Sequence, residues 1–307
     1  MIGNRSPAKW RLSAWSCCAL FGLYLLQTPA QAADLLLSSA GDTSTLQHFG
    51  NALAAARPAD RVRILALNEM PPLDQLPGDT RLILFGQPAL AWRLDTPAGP
   101  PTLVLQVNKT QAHKTLGARQ TVQLSVLWQD PAPQRQLRLL KHLLPKARRV
   151  GVLYDPHSEF LIQELRQASS DLGLEVVAKS WPDTRDSKAV MALLSASDVL
   201  LAVADDDLYN PLTAKTLLLT SYGQQHALIG PSAGFVRAGS LASTYSDQYD
   251  WLITLNDLLN QPPQRWPSGT YSNTFKVIGN PQVARALGIT LPSDAELARH
   301  LLQGETP

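Results

Sequence analysis

The sequence predicts an α/β protein of two open parallel-sheet lobes joined by a multi-strand hinge. Short apolar and β-branched runs alternate with helix-period segments, the signature of parallel sheets with crossover helices. The alternation runs as two series that divide near residue 130, and it changes character after Tyr245. The 307 residues are 45% hydrophobic and 17% charged. That is about two domains' worth of chain with enough apolar side chains for a core, which argues against disorder.

In the first series, residues 34–39 (DLLLSS) read as a strand and 43–56 as a helix with Leu46, Phe49, Leu53 and Ala56 at helical spacing. Residues 61–67 (RVRILAL), 81–86 (RLILFG) and 102–107 (TLVLQV) are further strands, with Pro71-Pro72 and 97–101 as loops. Helix signal between these strands is weak, so this half reads as compact or trimmed. The second series opens with an amphipathic helix over 134–144, ended by Pro145. A strand over 149–154 (RVGVLY) leads to Ser158 as a helix cap and a helix to Leu172, with Gly173 as its stop. Strands over 175–180, 198–204 (DVLLAVA) and 227–230 alternate with helices over 187–194 and 213–225.

Beyond Tyr245, residues 248–259 form a helix with Trp251, Leu252, Leu255, Leu258 and Leu259 on one side, and Pro262-Pro263 break it. A strand over 275–279 and a helix over 282–287, ended by Gly288, follow. Ser293 and Glu296 make a capping box for a last helix to Leu302. The chain thus divides into a first lobe over 33–128, completed by about 247–270, a second lobe over 129–246, and a closing strand with C-terminal helices over 271–307.

The N-terminus reads as a targeting signal. Arg5, Lys9 and Arg11 precede an apolar stretch from Leu12 to Leu26, and Ala30-Gln31-Ala32 supplies the small side chains of a cleavage site. A signal peptide over 1–32, cleaved after Ala32, implies export to the periplasm. The stretch is short for a membrane span and ends in Pro29. Both cysteines, Cys17 and Cys18, leave with it, so the mature chain has no disulfide and no thiolate chemistry. Full-length, 27 Lys+Arg face 25 Asp+Glu. Losing three basic residues brings the mature chain close to neutral, which excludes a nucleic-acid binder.

Four segments resemble the periplasmic substrate-binding proteins of ABC transporters, in the branch that binds tryptophan and related small solutes. They are RQLRLLKHLLPKARRVGVLYD (135–155), AVADDD (202–207), GPSAGFVRAGSLASTYSDQY (230–249) and FKVIGNPQVARALGITLP (275–292), in the family's order. The resemblance implies a type I periplasmic-binding-protein-like clamshell. Such a chain is a monomer that holds an amino-acid-like solute between its lobes and docks on an ABC permease. Residues 33–128 are shorter than the family's usual first lobe.

In open α/β sheets, ligands sit beyond the carboxyl ends of the strands. Asp205, Asp206 and Asp207 follow an apolar strand, and like charges so close are not all buried. They face the cleft, or cap the helix approaching Thr213, or sit in water; the resemblance implies that Asp205 or Asp206 receives a ligand ammonium. Ser38, Ser39, Gln87 and Asn108 end first-lobe strands, as Asp155 and Ser232 end second-lobe strands. Each is a candidate hydrogen-bonding residue for a polar ligand, or an ordinary turn residue. Tyr245, in a crossing segment, stacks on a ligand or packs the hinge.

Residues 230–234 fit G-x-S-x-G, with Asp247, Asp250 and His300 downstream in hydrolase order. The five residues from Phe235 to Gly239 are too few for the long helix that a nucleophile elbow requires, so no enzyme is expected and no catalytic residue is assigned. The six histidines are scattered, no second acid cluster matches 205–207 and no phosphate-cradling loop occurs, so neither metal nor cofactor is expected. The function expected is solute capture for an ABC importer. The alternative is a sensory or accessory binding protein that reports to another membrane receptor without transport.

Overall fold

The computed structural model describes Met1, Gly3 and residues 32–304, apart from 42, 97, 118 and 120–122. The expected signal peptide lies almost wholly outside the described residues. Ala33–Pro307 forms one compact unit.

From Asp34 onward, strands mostly alternate with helices. The first series comprises β1 (Asp34–Ser39), α1 (Thr43–Ala56), β2 (Arg61–Ala66), β3 (Thr80–Phe85), α2 (Gln87–Leu94), β4 (Thr102–Val107), α3 (Lys109–Leu116) and β5 (Leu124–Trp128). Helices α2 and α3 and strand β5 have little apolar periodicity and are absent from the sequence reading. Pro88 opens α2, and a reciprocal capping box between Asn108 and Gln111 opens α3. In place of a helix, two short 3-10 turns join β2 to β3.

The second series comprises α4 (Pro133–Leu143), β6 (Arg149–Tyr154), α5 (Glu159–Ser169), β7 (Glu175–Ser180), α6 (Ser187–Ala196), β8 (Val199–Leu201), α7 (Pro211–Gly223), β9 (Leu228–Ile229), α8 (Ala233–Ala238) and β10 (Ala242–Tyr245). Gly173 stops the α5 segment in the left-handed conformation, φ 60°, as expected. Ser158 does not cap α5 through its side chain; its hydroxyl bonds the Asp155 carboxylate at 3.2 Å. Strand β8 is shorter than 198–204, because the chain turns at Asp205, whose amide bonds Val203 O. Helix α7 starts earlier than expected, because Asn210 caps it and Pro211 opens it.

The last elements are α9 (Gln248–Leu259), β11 (Gly269–Thr270), β12 (Lys276–Gly279), α10 (Pro281–Ala286) and α11 (Asp294–Gln303), the last opened by the expected Ser293–Glu296 capping box. One sheet has the order β11-β5-β4-β3-β1-β2 and is parallel throughout. The other has the order β12-β10-β9-β8-β6-β7, with β12 antiparallel to β10. The chain therefore passes between sheets three times: after β5, after β10 and after β11.

Each sheet is covered on both faces, as parallel sheets require. Leu35, Leu37, Ile83 and Leu103 pack with α1 and with Trp251, Leu255 and Leu258 of α9. On the opposite face, Leu36, Leu82, Leu84 and Val104 meet Leu90 and Leu94 of α2. A single larger core fills the second lobe, from Leu137 on α4 to Leu301 on α11. Among the described residues no helix is long and apolar enough to cross a membrane.

Candidate functional site

Residues just past the strands of both sheets line one cavity of about 320 Å³. Asn108 follows β4, and Gln129, Asp130 and Pro131 follow β5. From the second sheet come Asp205 and Asp206 after β8, Ser232 after β9, and Tyr245 and Ser246 at the end of β10. Trp251 on α9 completes the wall. A recess of about 40 Å³ shares Asp130, Pro131, Ala204 and Pro231 with that cavity and is otherwise mostly apolar, with Leu161, Leu165, Leu201 and Tyr271.

Five of the nine expected residues line the cavity: Asn108, Asp205, Asp206, Ser232 and Tyr245. The other four do not, and each has a local explanation. Ser38 is wholly buried within the first sheet. Ser39 Oγ accepts the Gly41 amide at 3.1 Å and borders a separate small cavity beside Phe49 and Phe85. Gln87 donates to Thr115 Oγ1 at 3.0 Å, tying α2 to α3. Asp155 accepts the His157 and Ser158 amides at 2.7 and 3.0 Å, which closes the turn before α5.

Direct bonds from α3 span the two lobes. Asn108 Nδ2 and Gln111 Nε2 donate to Asp206 Oδ2 at 3.1 and 2.9 Å. Lys109 Nζ reaches both Glu164 oxygens at 2.8 and 2.7 Å, Lys114 pairs with Asp207, and the His113 ring stacks on Phe160 at 4.5 Å. The α3 sequence is mostly polar because much of its surface meets the other lobe.

Electrostatics divide the acids. Burial pushes the Asp205 carboxyl up, the Ser158 hydrogen bond opposes this, and the Asp155 charge adds to it. Carboxylate oxygens of Asp155, Asp205 and Asp207 lie within 4.8 Å of one another, and the Lys114 ammonium bonded to Asp207 supplies the compensating charge. Burial also works against charge on Lys114, but the Asp207 bond and the nearby acids outweigh it and raise its pKa. Asp130 is pushed up to about 7, first by burial, against the opposing bond from the Lys109 amide.

Sequence reasoning missed Gln129, Asp130, Ser246, Trp251 and Tyr271. Asp130 carried the same signal as Asn108, a polar residue just past a strand, but strand β5 itself went unread. Trp251 read as part of the apolar side of its helix, and Tyr271 carried no signal. Among the buried polar atoms without a protein partner are Trp251 Nε1 and Tyr271 Oη, beside the cavity and the recess respectively. A buried donor left unpaired is costly, so these atoms mark places where a bound molecule or water completes the structure.

The family model for ABC transporter substrate binding protein matches residues 129–297, a little over half of the chain. No curated protein matches it. Among solved structures, the chain is similar to a substrate binding protein with adhesive properties from Clostridium difficile, in its ligand-free, open form. That likeness has 18% identity, 86% of this chain and 97% of the other, and a TM-score of 0.63. It is also similar to an ABC domain in complex with L-Trp from Streptococcus pneumonia and to a conserved domain protein from Vibrio cholerae. Each of these has 17% identity, 87% of this chain and 98% of the other, and a TM-score of 0.55. At such identities the likeness is one of fold: two α/β lobes of the type I periplasmic-binding-protein kind.

Proposed function

The chain belongs to the ABC transporter substrate binding proteins, a family that holds small solutes, and from that premise we propose that it captures a small polar or zwitterionic molecule between its lobes for an ABC importer. One observation carries this reading: residues from both sheets and from the crossing segments converge on a single cavity of about 320 Å³. A molecule that touches both lobes binds their closed arrangement better than the open one, and only that difference shifts the equilibrium. Tyr245 and Trp251 offer aromatic surface, while Ser232, Ser246 and Gln129 offer hydrogen bonds. The L-Trp bound by the Streptococcus pneumonia neighbour makes amino acids the first class to examine.

The test is a thermal-shift screen of amino acids and related solutes on the purified protein. Binding to the native state alone raises the melting temperature, by an amount that grows with solute concentration. A panel that produces no shift overturns the reading. For the solute that does shift, deletion of the gene abolishes cellular uptake if the protein serves an importer; undiminished uptake favours a reporting role. We place the mature protein in the periplasm as a monomer beginning at Ala33, which N-terminal sequencing and light scattering of the exported protein check.

A further inference from the structure

We infer that a groove separate from the cleft, where α4 meets the crossing segment after β11, binds a small organic oxyanion, and that Arg138 is the side chain that receives it. The inference goes beyond solute capture in the cleft and does not rest on it. The groove has a volume of about 670 Å³. Helix α4 and Tyr271 stand between it and the cleft. Pro133 and Gln136 border the apolar recess, Gln134, Arg135 and Arg138 border the groove, and Tyr271 lines both. Thr270 of β11 brings the first sheet into the groove wall, so a molecule held there touches both sides of the crossing.

Arg138 is the residue that lacks a counterpart. Its Nη1 is buried without a hydrogen-bond partner, and its guanidinium forms no ion pair among the described residues. Other second-lobe arginines are matched: Arg149 pairs with Asp198 and Arg185 with Asp183. A buried charged donor left unpaired is costly. Water can accept the hydrogen bond but leaves the guanidinium charge uncompensated. An oxyanion supplies both, and the planar guanidinium fork matches a carboxylate or a phosphate.

The surroundings favour negative charge. Arg135, 7% exposed, adds a second guanidinium, held by its bond to Ser272 O at 3.3 Å and stacked 3.9 Å from the Phe275 ring centre. Helix α4 begins at Ala132, on the groove wall, without a side-chain cap, so the positive end of its dipole adds to the guanidiniums. No residue lining the groove is acidic. The acid that reaches its rim is Asp257, exposed and 3.4 Å from Asn273 Nδ2. The volume is that of a site for an organic molecule rather than a bare ion, and Leu302 and Tyr271 offer apolar surface to a carbon skeleton.

The test is calorimetry on the purified protein at neutral pH with succinate, inorganic phosphate and the neutral succinamide. The expected result is saturable binding of succinate, phosphate or both, about tenfold or more tighter than succinamide. Tighter succinate assigns the carboxylate class, tighter phosphate the phosphate class. Arg138→Gln, checked for folding by circular dichroism, keeps a donor but loses the charge and the fork, and should weaken binding about ten- to hundredfold. Should that variant not fold, Gln134→Glu places a repelling charge at an exposed position on the groove wall and should weaken binding about three- to tenfold. Arg185→Gln, at a side chain 91% exposed, should change nothing. Equal binding of succinamide overturns the assignment, as does anion binding that persists in both groove variants. A loss as large in Arg185→Gln would trace the effect to net charge and overturn it too. Absence of saturable binding by either anion would leave water as the partner of Nη1 and end the proposal.

Discussion

Lys109 at the start of α3 and Glu164 on α5 form a two-pronged ion pair across the lobes, with Nζ 2.8 and 2.7 Å from the carboxylate oxygens. The Lys109 side chain is 15% exposed and that of Glu164 34%, so the pair is only partly screened by water. A partly exposed pair of this kind contributes about 1 kcal/mol. Removing it in Glu164→Gln is expected to favour the open arrangement about fivefold without unfolding either lobe. Small-angle scattering of the unliganded protein should show a larger radius of gyration for the variant. High salt should bring the wild type towards the same value. Identical scattering curves at low salt would show that the pair does not hold the lobes.

Gln136 on α4 lies 4% exposed beneath the second sheet and bonds groups of Gly230, Ser243 and Thr244. Its amide nitrogen donates to Gly230 O at 2.8 Å and to Ser243 Oγ at 3.3 Å; its oxygen accepts the Thr244 amide at 2.9 Å. Gln136→Leu keeps the approximate volume but leaves the Gly230 carbonyl and Thr244 amide buried without these partners. The expected cost is about 2–4 kcal/mol, read as a lower urea midpoint with unchanged slope. A loss below 0.5 kcal/mol, an order-of-magnitude bound, would mean that water replaces the amide.

The contrast between α4 and α3 shows what the sequence could reveal. Helix α4 carries Leu137, Leu139, Leu140 and Leu143 into a core, so apolar spacing reports it. In α3 (KTQAHKTL) only Thr110 and Ala112 are buried, and its polar side chains find their partners on the other lobe, a relationship that no local pattern records. Strands β4 and β6 match their expected bounds because each is an apolar run bounded by turn residues, whereas β11 has two residues and no pattern at all. The site divides in the same way. Asn108, Asp205 and Ser232 follow strands with strong signals, while Trp251 and Tyr271 reach the cleft only because the crossing segments bring them there.

Asp198, between α6 and β8, accepts the Arg148 and Arg149 amides at 2.9 and 2.8 Å and pairs with the Arg149 guanidinium at 3.0 Å. These bonds, the Arg148 amide first, lower its pKa to about 2. An unfolded aspartate titrates near 3.9, so the folded value is the lower of the two. The carboxylate therefore stabilises the fold fully above about pH 5, and that contribution is lost as pH falls through 4 towards 2. Solvent screening reduces it to about 1 kcal/mol. Urea unfolding of wild type and Asp198→Asn should differ by that amount at pH 7 and converge near pH 2. A gap that stays constant down to pH 2.5 would show that charge has no part in it.

Ser232 separates the binding reading from the hydrolase pattern of residues 230–234. Its Oγ accepts the Phe235 amide at 3.3 Å and caps α8, a helix of six residues, which is short of the support that a nucleophile elbow has. A capping serine contributes about 1 kcal/mol, and a hydroxyl at the cleft wall adds one hydrogen bond to a polar solute. Ser232→Ala is therefore expected to lower stability by about 1 kcal/mol and to weaken solute binding about three- to tenfold, with neither protein hydrolysing p-nitrophenyl acetate above the buffer rate. Ester turnover in the parent that disappears in Ser232→Ala would reverse the assignment and make Ser232 a nucleophile.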